Sequence, residues 1–270
     1  MKKTDSLSFI GLIIGAALLV YGMVSGSSLM IFWDLPSVLI TIGASFAALL
    51  IVFSIDDIKL LGKLLGEAFK ESKAAKGGIV KKFAEISKKA RREGLLSLED
   101  DIAEIDDQFM KKGLQMVVDG VEPDTIREIL ELEIEEMENR HSIGIGIFDQ
   151  WGIYAPAFGM CGTLIGLIQM LQNLTDVSNI ASGMGKALIT TFYGSLLANL
   201  FCIPIAANLK QKSRKEASFR EMVLEGILAI QSGVNPRIVE DKLKSYLSPK
   251  ERLEYAAING GATEASEGVA

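Results

Sequence analysis

The chain has 270 residues, 49% of them hydrophobic, and a formal net charge of −6. Its mean hydropathy is positive, a composition that fits a membrane protein and excludes disordered, collagen-like and disulfide-scaffold classes. The net charge says little by itself, because the charges are strongly segregated along the chain.

The first apolar run, Leu7–Val24, follows a Met-Lys-Lys start that resembles the leading region of a signal peptide. The run is too long for one and lacks a small-residue cleavage site, so a retained first span is expected. It carries Gly11 and Gly15, then Gly22 and Gly26, at the spacing of small residues that let membrane helices approach. Ser25–Asp34 is a short connection with Phe32 and Trp33 placed for an interfacial aromatic belt, and Leu35–Ile55 is the second span. Residues 56–150 leave the membrane and are charged and helix-rich. From Lys59 to Arg92 there are 11 Lys/Arg against 3 Glu; from Glu93 to Glu138 there are 16 Asp/Glu against 3 Lys/Arg. Gly77–Gly78 is expected to break a helix, Gly94 to end one, and Ser97 to cap the next. Pro123 suits the first turn of a helix running through Arg140, with Ile126, Ile129, Leu130, Ile134 and Met137 on its packed face.

Residues 151–209 hold the stretch around which the chain is organised. Gln150–Asn173 and Ala187–Leu209 contain no ionisable Asp, Glu, Lys, Arg or His, and each is long enough to cross a ~30 Å hydrocarbon core. Gly159, Gly162 and Gly166 mark one as a close-packing helix, with Thr163 beside them; Thr190, Thr191, Gly194, Ser195 and Asn199 mark the other. Small residues let backbones approach, and hydroxyls bridge helices or line a wet path. Pro156 and Pro204 lie inside these spans and are candidate hinges, since a proline removes a helix donor and frees a carbonyl. Lys210–Arg220 is basic, Glu221–Gln231 is amphipathic, Asn235-Pro236 opens a helix through about Leu247, and 256–270 reads as a disordered tail.

Of 28 Lys/Arg, 15 lie in 56–150, 10 lie after Leu209 and 2 at the N-terminus, while the loops 25–34 and 173–185 have none. Positive residues mark the cytoplasmic side. The expected fold is therefore an all-α membrane protein with four transmembrane helices in the bacterial plasma (inner) membrane and both termini cytoplasmic. Its expected divisions are 1–55 (outer hairpin), 56–150 (cytoplasmic helical domain), 151–209 (inner hairpin and ion path), 210–255 (C-terminal helices) and 256–270 (tail). No enzyme signature, phosphate loop or metal-ligand spacing is present: His141 has no triad or ligand company, and Cys161 and Cys202 sit in apolar segments as small packing residues. The spans also lack the carboxylate that an ion path normally needs. Either the chain moves no ion, or a partner brings the acid.

YAPAFGMCGTLIGLIQML at 154–171, ALITTFYGSLLANLFCIPIA at 187–206, RREGLLSLE at 91–99 and SGVNPRIVEDKLKSYL at 232–247 resemble the MotA/PomA flagellar stator subunits within the wider MotA/TolQ/ExbB family. The resemblance implies a non-enzymatic stator subunit without cofactor, driven by H⁺ or Na⁺. It implies a homopentamer around a dimer of a MotB-like, single-span, peptidoglycan-anchored partner bearing an essential Asp, and torque applied to the rotor protein FliG. Carried over by motif, Pro156 and Pro204 match the family's functional prolines and Thr163 its third-span threonine. Thr190 or Thr191 holds the place of the threonine facing the partner's Asp. Arg91 and Glu99 match the rotor-contact charges, with Lys88, Lys89 and Arg92 as neighbours that share the task. An ExbB/TolQ-like energiser of outer-membrane transport and a passive membrane scaffold are the competing readings; no nucleic-acid partner is expected.

Overall fold

A computed structural model describes residues 6–69, 76–172 and 177–257. These residues are helical wherever they have regular structure, and they pack into two units: residues 1–72 with 140–212, and 73–139 with 213–270.

In the first unit, α1 is Ser6–Val24, a short 3-10 turn covers Leu29–Phe32, and α2 is Leu35–Val52. The second span thus ends three residues before the expected Ile55, because Ser54 stops it and caps the next helix, α3 (Ile55–Lys59), in a capping box with Asp57. α4 is Leu61–Ala68. A 50-residue helix, α8 (Pro123–Gln172), and another, α9, over 177–231, each contribute to both units. The ion-path hairpin loop expected over 173–185 is shorter than read, since the helix already runs from Val177; residues 173–176 lie outside the described ones. Leu35–Val52, Pro123–Gln172 and Ile180–Gln231 are long and apolar enough to cross a membrane, whereas the apolar part of α1, Ser8–Val24, is shorter.

The inner face of α2 is polar and small. Ser37, Thr41 and Ser45 are at most 1% exposed, one turn apart, and the last two bond across: Thr41 Oγ1 donates to the Thr190 carbonyl at 3.3 Å and Trp151 Nε1 to Ser45 Oγ at 3.1 Å. Tyr193 donates to the Phe32 carbonyl and accepts from the Asp34 N–H at 3.3 Å, tying the first connection to α9. At the other end, Ala68, Ile145, Phe148, Ile205, Ala206 and Leu209 form a small apolar core. Lys212 Nζ donates to the Glu67 and Ala68 carbonyls at 3.0 and 2.6 Å, so a cation satisfies the last carbonyls of α4.

The second unit holds α5 (Lys76–Glu93), α6 (Glu99–Ala103), α7 (Gln108–Val118), its parts of α8 and α9, and α10 (Pro236–Lys244). Phe83, Leu98, Leu114, Ile126, Leu130, Met222, Ile227 and Leu243 have no exposure, and burying each such side chain is worth about 1.5–3 kcal/mol. Gly226 makes room for Phe83, since a Cβ there would lie 2.7 Å from its ring. Gly94, with φ +88°, ends α5 as expected. Gly77 and Gly78 sit in the first turn of α5 rather than breaking it. Ser97 does not cap α6: its hydroxyl donates back to the Gly94 carbonyl at 2.7 Å, and α6 starts only at Glu99. Of the five apolar residues expected on one face of α8, four are buried and Ile129 is 36% exposed. α8 does run through Arg140 as expected, and it continues beyond, straight into the third span. Asn235 caps α10 through the Arg237 N–H, but α10 ends at Lys244, and Leu247 is buried from the turn beyond. Residues 256 and 257 are still helical; the rest of the expected tail, 258–270, lies outside the described residues.

Candidate functional site

The spans of α8 and α9 are locked together by glycine. A Cβ at Gly159 would lie 2.9 Å from the Thr190 carbonyl, one at Gly162 2.6 Å from Thr190 Cγ2, and one at Gly166 3.0 Å from the Gly183 carbonyl. From the other side, a Cβ at Gly194 would lie 2.6 Å from the Ala155 carbonyl and 3.0 Å from Pro156 Cα. Real Cβ atoms do not approach so closely, so these positions carry the backbone contact on which the pair is built.

That contact fixes the threonines. Thr163 Oγ1 donates to the Ala187 carbonyl at 2.9 Å and shares a short hydrogen bond with Thr191 Oγ1. Thr190 Oγ1 donates to the same Ala187 carbonyl at 2.9 Å. The two neighbours on α9 differ in access: Thr190 is 1% exposed, wedged over Gly162, whereas Thr191 lies on the exposed face beside half-buried Thr163. The surrounding face is apolar, with Met160, Leu164 and Leu188 more than half exposed. It therefore presents a hydroxyl pair in an apolar, charge-free field. It can solvate a cation or hydrogen-bond a carboxylate, but it supplies no charge of its own.

Pro156 continues within α8 and is exposed, with its Cα against Gly194. Pro204 follows a π-turn, Leu197–Cys202, and borders a cavity of about 240 Å³ with Gly11, Leu200 and Asn208. Cys161 is exposed and Cys202 buried, both as free thiols. Among the described residues, no group of His, Cys, Asp or Glu is arranged to hold a metal.

The charged candidates sit in the second unit. Arg91, Arg92 and Glu99 flank the short turn Leu95–Leu98 and are exposed, as is Lys88. Arg91 and Glu99 make no ion pair among the described residues, and Leu96 between them is 72% exposed. Lys89 is different. It pairs with Asp101 at 2.8 Å, and that hydrogen bond raises its pKa above the ordinary lysine value; it clamps α6 to α5. Arg92 reaches only its neighbour Glu93, at 3.5 Å.

Sequence reasoning missed two features. The Ser37, Thr41 and Ser45 stripe was hidden in an apolar run, and its only signal was the i, i+4, i+8 recurrence of small hydroxyls. The π-turns Leu39–Gly43 and Leu197–Cys202 left none beyond Pro204 downstream of the second.

Residues 101–222 match the MotA/TolQ/ExbB proton channel family. Motility protein A of Borreliella burgdorferi is 45% identical over 94% of this chain and 98% of that protein. Chemotaxis protein PomA of Vibrio alginolyticus is 38% identical over 92% of this chain and 97% of that protein. A chain of the flagellar MotAB stator complex from Bacillus subtilis superposes with a TM-score of 0.86 at 38% identity, covering 93% of this chain and all of that one.

Proposed function

The chain belongs to the MotA/TolQ/ExbB proton channel family, and from that premise we propose that it is an ion-driven flagellar stator subunit of the bacterial inner membrane. Five copies surround a dimer of a single-span, MotB-like, peptidoglycan-anchored partner. The partner's carboxylate stands against the Thr163–Thr191 pair and carries H⁺ or Na⁺. Both termini and the charged unit face the cytoplasm.

The observation that carries this reading is the exposed hydroxyl pair on two charge-free helices locked by glycine. A lone scaffold has no need of hydroxyls on its open face, whereas an acid brought by a partner needs polar company in a low dielectric. Thr191, exposed, fills the partner-facing role; Thr190, buried, is a packing residue. Arg91 and Glu99, exposed and unpaired, meet charges of the rotor protein FliG, and Lys88 and Arg92 add to the basic side of that contact. Exposed pairs are each worth ~0–1 kcal/mol, while one charge crossing ~100 mV supplies ~2.3 kcal/mol, so each ion transit suffices to break and remake such a contact. Pro156 and Pro204 act as the hinges between ion path and charged unit, on the two helices that contribute to both.

The test is co-expression with the adjacent single-span gene product and imaging of the purified particles. A ring of this chain around two partner helices, with the partner's acid level with Thr163 and Thr191, is expected. A ring without partner, or with the partner outside it, would leave the path without an ionisable group and overturn the proposal in favour of a scaffold.

A further inference from the structure

The hydroxyl pair is not the end of the polar face on α9. Ser195 and Asn199 follow Thr191 at four-residue intervals, and both are exposed. The Asn199 Nδ2 donates to the Ser195 carbonyl at 3.0 Å and to Ser195 Oγ at 3.2 Å, which stacks the two side chains along one line. An α-helix advances about 100° per residue, so a four-residue spacing drifts by about 40° per step. The π-turn Leu197–Cys202 holds more residues per turn and opposes that drift, keeping Asn199 over Ser195.

The same π-turn opens the backbone at this point. The Ile203 N–H reaches back five residues to the Ala198 carbonyl. In that register the next donor would belong to residue 204, which is proline and has none. The Asn199 carbonyl is thus passed over by the two donors that would ordinarily reach it. A span buried in lipid does not leave a carbonyl open; irregular backbone at that depth is found where it lines a wet path, and π-turns recur at functional positions. Thr191 Oγ1, Ser195 Oγ, Asn199 Oδ1 and the Asn199 carbonyl form a file of oxygens, flanked by Leu188 (67% exposed) and Phe201 (37% exposed). The file runs from the hydroxyl pair toward Lys210, on the side marked cytoplasmic by its basic residues.

We propose that Thr191, Ser195 and Asn199 form the cytoplasmic exit of the cation path, with the open Asn199 carbonyl and the Asn199 amide oxygen at its inner end. This rests on the stator reading above. Oxygens of this kind solvate a hard monovalent cation, either Na⁺ itself or a proton carried on a file of water. Pro204 then has a chemical task in addition to any hinge: its missing N–H keeps the last carbonyl of the file open.

The experiment uses the complex with its single-span partner in oriented proteoliposomes, in a Cys161→Ser, Cys202→Ser background, with cation flux measured with and without Na⁺. Ser195→Cys and Asn199→Cys are treated with a charged, membrane-impermeant thiol reagent. Reagent added from the cytoplasmic side should cut flux about tenfold in both, and reagent from the outer side should not; Ile14→Cys and Leu18→Cys, exposed on α1, should stay within about twofold of untreated flux. Flux that persists without Na⁺ assigns the file to protons, and flux that needs Na⁺ assigns it to the metal ion; either supports the proposal when the cysteines block it. Full flux in treated Ser195→Cys and Asn199→Cys, with a conducting parent, overturns the exit path alone. A parent complex that conducts nothing overturns the stator reading instead. If Asn199→Cys fails to assemble, Ser195→Cys tests the same file one turn away.

Discussion

Thr190 and Thr191 differ by one position in sequence and about 100° around the helix, and that rotation separates packing from function. Thr190→Val removes one hydrogen bond but keeps the shape wedged over Gly162, and the Ala187 carbonyl still accepts from Thr163 at 2.9 Å. Its expected cost is about 0.5–1.5 kcal/mol, with swimming near normal. Thr191→Val should leave thermal stability in detergent as little changed while ion-driven motility falls by about tenfold or more. Equal motility in the two variants would remove Thr191 from the path. Among the charges, Arg91→Glu with Glu99→Lys should lower swimming speed severely while membrane levels and ring assembly stay at wild type. Neither residue holds an ion pair in the chain, so surface substitutions there should stay within about 0.5 kcal/mol. Lys89→Ala should behave otherwise, because it frees Asp101: it should loosen α6, seen as faster amide exchange at Ile102, which is 1% exposed.

At the scale of elements, the contact of α8 with α9 is a backbone contact, and it makes a sharp distinction between glycines. Gly194→Ala places a Cβ 2.6 Å from a carbonyl that cannot swing away, whereas Gly185→Ala meets nothing within 4 Å. The first should destabilise the assembled ring by about 1–3 kcal/mol, read as a lower melting temperature in detergent, and the second should not. Gly159, Gly162, Gly166 and Gly194 were legible as packing residues because small residues in an apolar run have few other uses. The helical character of α2, though not its π-turn, was legible from its apolar run, and the α5 stop at Gly94 and the cap at Asn235 from the glycine and the Asn-Pro pair themselves. The unbroken passage of α8 through IGIGIFDQ (143–150) was not, because glycine and β-branched residues lower helix propensity, and only packing, such as Gly144 seated over Leu64, overrides it. Nor could sequence alone choose between Thr190 and Thr191; access depends on which side of α9 meets Gly162. Ser97 misled because its hydroxyl can accept from a helix N–H as a cap or donate to a nearby carbonyl, and here it donates to that of Gly94.

Across the whole molecule, part of the segregated charge is answered by ion pairs, several of them within the second unit. Lys112 pairs with Glu133 at 2.7 Å, Lys244 with Glu240 at 2.7 Å, and Glu225 with both Lys242 and Arg127. Arg91 and Glu99 are among the exposed charges of this region that hold no ion pair among the described residues, as are Lys81, Lys88, Asp100 and Glu104, so free charge of both signs remains on and around the short turn Leu95–Leu98. The paired carboxylates also set the unit's acid limit. Burial opposes ionisation of Glu225, but Lys242 and Arg127 outweigh it, and its pKa lies below the ordinary 4.5. Burial likewise opposes ionisation of Glu240, and Lys244 and the Tyr255 hydroxyl outweigh it in the same direction. A carboxyl whose folded pKa is below its unfolded one binds fewer protons when folded, so stability rises with pH. The contribution is complete above the ordinary value of 4.5 and is lost as pH falls through the lower folded values. Thermal unfolding followed by circular dichroism should therefore show a plateau near neutrality and a fall over about pH 5 to pH 3. Glu225→Gln with Glu240→Gln should lower the plateau and flatten that fall, because two of the groups that bind protons on unfolding are gone, leaving Glu251, which the Ser248 hydrogen bonds hold below its ordinary value. An unchanged acid limb in the double variant would assign the loss to other carboxylates of the acidic block.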